Sequence, residues 1–205
     1  IFSGLQIGSL HGIFGMNILP NWFAIGLTIF VIIVIMNAFN LIDGINGLSS
    51  GIGILVATVL GTWFFMVGEL EFAMMATALA GALIAFLQFN ITPAKIFMGD
   101  SGSLVLGLMV SILIIHFLNF HQEYPEHPLT FTGVPAIAIS ILIFPLFDTL
   151  RVFTMRILRG RSPLSPDRHH IHHMLIDSGF SHSKASLILV FVNAIYIILA
   201  ITFQS

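Results

Sequence analysis

The chain contains no cysteine. That excludes a disulfide framework and any thiolate metal site. Charge is the next scarcity: Lys, Arg, Asp and Glu make up 8% of the 205 residues, against about 25% in a soluble domain. So few charges cannot cover a water-facing surface, and a lipid bilayer becomes the natural solvent. A formal net charge of −2 leaves no basic footprint for nucleic acid. The sequence opens Ile1-Phe2-Ser3-Gly4, with neither an initiator Met nor a basic segment ahead of the apolar run. It is therefore not a signal peptide, and it reads as a chain cut from something longer. There is no internal repeat, no low-complexity tract and no soluble domain.

What remains is apolar sequence punctuated by rare charges. Charge-free stretches cover residues 1–42, 44–68, 72–94, 101–122, 127–147 and 185–205. Each reaches the roughly 20 residues a membrane helix requires. Backbone polar groups in lipid must be satisfied within each segment, so the expected fold is all-α: one polytopic membrane domain over residues 1–205. About six transmembrane helices are placed near residues 22–40, 51–67, 72–89, 103–120, 131–153 and 186–203. Residues 1–16 would be the end of an earlier span or a surface segment.

Six spans put loops 41–50, 90–102 and 154–185 on one side. Lys95, Arg156, Arg159, Arg161, Arg168 and Lys184 fall in those loops, and Arg151 lies at the same end of its span. The opposite loops hold Glu69, Glu71, Glu123 and Glu126 without any Lys or Arg. The positive-inside rule assigns the basic side to the cytoplasm.

Three polar clusters share that basic side. The first runs from Asn37 to Gly47 and contains Asn37, Asn40 and Asp43, each three residues apart. Asn40 and Asp43 share a helix face if the helix extends so far. Gly44 and Gly47 permit a turn and a close approach to the backbone. These residue types also form ordinary helix stops, but the cluster holds more amide and carboxylate than a stop requires.

The second cluster runs from Phe89 to Ser103. Pro93 ends one span, and Ser101 or Ser103 is placed to cap the next. Asp100 then sits at a helix N-terminus, where backbone N–H groups favour anions. A carboxylate there suits Mg²⁺ bridging protein and diphosphate, or equally a plain dipole-complementing acid.

The third cluster runs from Arg159 to His173, with two prolines and histidines at 169, 170, 172 and 173. The histidines could bind Zn²⁺ or donate to a phosphate. The accompanying arginines suit an anion better than a cation. Asp148, inside the 131–153 span, is an intramembrane carboxylate and so a functional candidate. A pair with Arg151 is the plainer alternative, and its role is left open.

Together these clusters resemble the polyprenyl-phosphate N-acetylhexosamine-1-phosphate transferases. The matching strings are Asn37–Gly47, Asn90 with Pro93–Ser103, and Asp167–His173. The form His170-Ile171-His172-His173 is similar to the WecA/TagO branch. The resemblance implies transfer of N-acetylhexosamine-1-phosphate from a UDP-sugar to undecaprenyl or another polyprenyl phosphate, with UMP released. Such a step opens synthesis of a cell-envelope glycan such as lipopolysaccharide or teichoic acid. The implied setting is a bacterial plasma membrane with a cytoplasmic active site, and a homodimer is compatible with it.

The resemblance also implies roles. Asp100 is the Mg²⁺ ligand, with Mn²⁺ as a substitute. Asp100, Asp43, His170, His172 and His173 form the catalytic set. Asn90 and Phe97 lie at the uridine, Asn40 and Asp43 line the nucleotide pocket, and Arg168 joins the histidines at phosphate or sugar. Two departures stand out. Asn46 occupies a position where many members carry a second Asp, so it is assigned no catalytic role. No Asp-Asp pair occurs anywhere, although the family carries one near the acceptor phosphate, so the 205 residues alone are expected to be inactive. The sugar is left open. Two other classes compete: a polytopic transporter, whose polar groups belong at the bilayer midplane, and a zinc-dependent intramembrane hydrolase built on the histidines.

Overall fold

A computed structural model describes residues 5–91, 93–160, 162 and 170–204. Among the described residues, eight α-helices follow a short 3₁₀ turn at Ile13–Gly15, and there is no strand. The helices are α1 (Asn21–Ile42), α2 (Leu48–Val67), α3 (Leu70–Asn90), α4 (Gly99–Glu123), α5 (Val134–Ile141), α6 (Ile143–Leu158), α7 (Ile171–Asp177) and α8 (His182–Thr202). Helices α1, α2, α3, α4 and α8 are each long and apolar enough to cross a membrane. Residues 5–20 form no helical span. They lie as irregular chain against α1, where the Thr28 hydroxyl accepts from the Ile7 N–H.

Small residues set the close crossings. Helices α2 and α3 form a tight hairpin, because Gly68 takes the left-handed conformation (φ +86°) and the Glu69 N–H returns to the Phe64 carbonyl. Along that hairpin a Cβ on Gly61 would stand 3.0 Å from the Ala76 Cβ. Where α4 crosses α1, a Cβ on Gly107 would stand 2.6 Å from the Met36 Cα. Close backbone approach of this kind is how apolar helices gain contact when the solvent is equally apolar. Phe39, Phe64, Phe117, Leu48 and Leu60 fill the shared interior. At the end of the bundle away from the motifs, His116 pairs with Glu69 at 3.0 Å and His121 stacks on Trp63.

The fifth expected span is not one straight helix. The chain bends by 79° between α5 and α6. The local cause is Pro145, which has no N–H to return to the Ile141 carbonyl. Asn193, fully buried on α8, repairs the break: its amide N–H donates to the Ile141 carbonyl at 3.0 Å, and its oxygen accepts from the Phe144 N–H at 3.0 Å. Free backbone groups within lipid are tolerated only when another segment satisfies them. Asn193→Leu should therefore leave two buried groups unpaired and cost about 1–3 kcal/mol. Thermal unfolding of the purified protein in detergent checks this; an unchanged midpoint would mean that the break needs no partner.

Candidate active site

The turn between α1 and α2 is the first part of the site. Helix α1 runs to Ile42, so Asn40 lies in its last turn and Asp43 just beyond it. The two side chains reach different partners. Asn40 donates from its amide nitrogen to an Asp100 carboxylate oxygen at 3.1 Å and to the Ser103 hydroxyl at 3.0 Å. Asp43 accepts a hydrogen bond from the Ser49 hydroxyl, at the start of α2. Burial pushes the Asp43 carboxyl above the usual carboxylate range; the Ser49 bond works against this, and the Asp100 charge adds to it.

The α3–α4 loop is the second part. Asp100 is the second residue of α4, at the positive end of the helix as expected. The expected serine cap is absent: no side chain among the described residues caps α4, whose start is set at Gly99 with φ +67°. Ser103 is instead buried inside the first turn, donating back to the Gly99 and Asp100 carbonyls. Asn90 is also buried. Its amide oxygen accepts from the Gly47 N–H at 2.7 Å, and its amide nitrogen donates to the Ile96 carbonyl at 3.0 Å. Asn90 is thus a brace clamping the first motif turn to the second. Phe97, by contrast, is 77% exposed. Asp43, Gly44, Asn46, Asn90, Phe97 and Asp100 line one cavity of about 280 Å³.

The histidines are the third part. Helix α7 begins at Ile171, directly after His170. Its His172 ring is fully buried against the first motif, so close that a Cβ on Gly44 would stand 2.5 Å from His172 Nε2. Neither His172 ring nitrogen has a hydrogen-bond partner among the described residues. Burial, reinforced by the neighbouring His173, lowers its pKa to about 4, so the ring is neutral at neutral pH. His170 stacks on His172, and His173 packs against it with ring centroids 4.4 Å apart. Arg168, the remaining residue of the expected set, lies outside the described residues.

Asp148 joins this group, a connection that the sequence leaves open. It is fully buried in α6. One oxygen contacts His170 Nδ1 at 2.8 Å and the other accepts from the Ile171 N–H at 2.9 Å, with Arg151 Nη1 4.0 Å away. Ser49, which donates to the Asp43 carboxylate, and Ser103, which accepts from the Asn40 amide, carry no distinguishing pattern in the sequence. Asp148 does carry one, as a carboxylate within an apolar span.

Asp43 and Asp100 present two carboxylates to one polar cavity, the donor set a hard divalent cation prefers. Asp148, His170 and His172 also have ligand atoms within 4.8 Å of one another. Two ligands on a tetrahedral zinc stand about 3.3 Å apart, from bond lengths near 2.0–2.1 Å. The 2.8 Å separation of Asp148 and His170 is shorter and suits a direct hydrogen bond. The polar residues of the three motifs gather at one end of the bundle, which departs from the midplane arrangement of a transporter.

The family model described as "Glycosyl transferase family 4" matches residues 1–118. The chain is 35% identical over 184 residues to the probable undecaprenyl-phosphate N-acetylglucosaminyl 1-phosphate transferase of Bacillus subtilis, covering 90% of this chain and 49% of that protein. It is 30% identical over 200 residues to the undecaprenyl-phosphate alpha-N-acetylglucosaminyl 1-phosphate transferase of Escherichia coli K12, covering 95% and 52%. The decaprenyl-phosphate N-acetylglucosaminephosphotransferase of Mycolicibacterium smegmatis is 35% identical over 188 residues, covering 85% and 46%. The chain spans about half the length of these curated relatives.

Proposed function

Because the chain belongs to glycosyl transferase family 4, we propose that it forms the nucleotide-sugar half of an enzyme that moves N-acetylglucosamine-1-phosphate from a UDP-sugar onto a polyprenyl phosphate. The observation that carries this reading is the convergence of three motifs that lie far apart in sequence. Asn40 reaches Asp100, Asn90 reaches Gly47, and His172 packs on Gly44, around one polar cavity at one end of an apolar bundle. The three relatives all carry N-acetylglucosamine in their names, which favours that sugar over its epimers. In the sequence the basic residues fall in the loops that carry the three motifs, which supports a cytoplasmic site in the bacterial plasma membrane.

In the reaction, an oxygen of the lipid phosphate forms a bond to the sugar-bearing β-phosphorus. The bond from that phosphorus to the bridging oxygen breaks, and UMP leaves with the bridging oxygen. The exposed Phe97 ring supplies a face on which uracil can stack. Asn40 fixes the Asp100 carboxylate, and Asn90 fixes the turn carrying Asp43 and Gly44. We assign the imidazoles of His170, His172 and His173, and Arg168 from its place in the same sequence motif, to contact with phosphate oxygens. Asp100 would hold a Mg²⁺ ion, with Asp43 across the same cavity. Bound there, Mg²⁺ supplies neutralisation of diphosphate charge.

The test is a transfer assay on the full-length protein with radiolabelled UDP-N-acetylglucosamine, a polyprenyl phosphate and Mg²⁺. The expected result is a lipid-linked sugar together with UMP, both lost when Mg²⁺ is chelated. Absence of lipid-linked product with every UDP-N-acetylhexosamine would overturn the reading.

A further inference from the structure

The geometry points to Asp148 as the positioning residue of the histidine motif, holding His170 in one ring orientation and one protonation pattern. The inference rests on the transferase reading for its effect on turnover, but not for its effect on the ring.

Asp148 is fully buried in α6, within an apolar stretch that otherwise carries no charge from residue 127 to residue 147. A carboxylate in such a place is costly unless its acceptors are satisfied. Both oxygens are. Oδ1 accepts from the Ile171 N–H at 2.9 Å, and Oδ2 lies 2.8 Å from His170 Nδ1. Arg151, one turn further along α6, places Nη1 4.0 Å from Oδ1. An ionised carboxylate only accepts, so opposite it His170 Nδ1 carries the proton. Nε2 is then the ring nitrogen left to meet a ligand. When the ring is neutral, Nε2 is an acceptor and a base; when the ring is charged, it is a donor. Nδ1 stays protonated in both states.

The second bond makes the device more than a histidine partner. Ile171 is the first residue of α7, and His172 and His173 follow it. By holding the Ile171 N–H, Asp148 fixes where α7 begins. The His172 ring that packs against Gly44, and the His173 ring against His172, inherit that placement. One buried carboxylate on α6 thus sets the orientation of one histidine through its side chain and of two more through the backbone. Carboxylates that orient a functional imidazole through Nδ1 recur in enzymes, and their removal disables the ring without removing it.

Asp148→Asn separates shape from charge. The new amide can still accept from the Ile171 N–H with its oxygen, which turns its NH₂ toward His170. An NH₂ group donates, so the ring must offer a bare Nδ1 and move its proton to Nε2. In the full-length protein we expect the ¹⁵N signal of His170, assigned by its loss in His170→Gln, to report protonated Nδ1 in the native chain and bare Nδ1 in D148N. Turnover should fall on the order of 10²- to 10⁴-fold, while KM for the UDP-sugar stays within about threefold of native, because uracil recognition is left intact. The D148N/H170Q double variant should be no slower than H170Q alone, since Asp148 acts through that ring.

An unchanged Nδ1 signal in D148N, or turnover within about threefold of native, would overturn the inference. If D148N cannot be recovered folded, the native protein decides the matter: a bare Nδ1 on its His170 sinks the assignment and a protonated one upholds it. If the native protein transfers no sugar, the transferase reading fails, and the ring signals in the two chains still judge Asp148.

Discussion

Asp100→Asn in the full-length protein should remain folded and lose transfer activity by about 10²- to 10³-fold or more, the scale of removing one electrostatic group from a reacting centre. The fold should survive because the substitution is isosteric. The side-chain oxygen of the substituted amide can still accept from the Asn40 amide N–H, which reaches the native Asp100 carboxylate at 3.1 Å. Ser103 stays buried in the first turn of α4, bonded to backbone carbonyls that the change leaves untouched. The helix start is set by Gly99. What disappears is one negative charge at an exposed helix N-terminus, worth about 0.3–1 kcal/mol to the helix. Turnover is far more sensitive. The cavity between Asp43 and Asp100 would lose one of its two carboxylates, and a divalent cation would lose the acid that places it at the diphosphate. The measurement is kcat against Mg²⁺ concentration, with the thermal midpoint as the check on folding. Near-native kcat at saturating Mg²⁺ would exclude Asp100 as the ligand.

The spans and the three motif loops are legible in the sequence because charges are rare enough to act as boundaries. Asp43, Asp100 and the histidines are visible for the same reason: polar residues stand out against apolar sequence. Legibility ends wherever the deciding partner is distant. The bend between α5 and α6 has its cause at Pro145, but its repair comes from Asn193, some fifty residues on, inside a helix with no other anomaly. Asn90 reads from the resemblance as a uridine contact; the structure adds that its amide oxygen and an amide N–H are engaged by Gly47 and Ile96. Asp148 draws attention as an intramembrane acid, and its near neighbour Arg151 is the natural candidate partner. The closer contacts prove to be with residues 170 and 171. Ser103 looks like a cap because serine commonly caps; here a left-handed glycine sets the helix start and frees the serine to bond inward.

Gly44→Ala tests the convergence of the motifs at its tightest point. The backbone at Gly44 does not take a left-handed φ, so the residue is not required for conformational freedom. It is required for space. The added methyl carbon would stand 2.5 Å from His172 Nε2 and 3.2 Å from Cε1, well inside van der Waals contact, so either the turn or the ring must move. The turn is held from three sides. Asn90 accepts from the Gly47 N–H, Ser186 donates to the Asn46 carbonyl, and Ser49 bonds Asp43. The His172 ring makes no hydrogen bond among the described residues, so the ring should yield. It cannot move alone, because it stacks on His170 and packs against His173. Overpacking of this kind costs about 1–3 kcal/mol of stability. A displacement near 1 Å of groups that meet the substrate costs about 10²-fold in rate. The expected result is therefore a folded protein with turnover down about 10²-fold and a modestly lower thermal midpoint. His172→Ala makes room for the methyl group, so G44A/H172A should be no slower than H172A alone, a non-additivity reserved for residues in contact. Native turnover in G44A, or fully additive losses in the double variant, would show that the first motif and the histidines do not share a site.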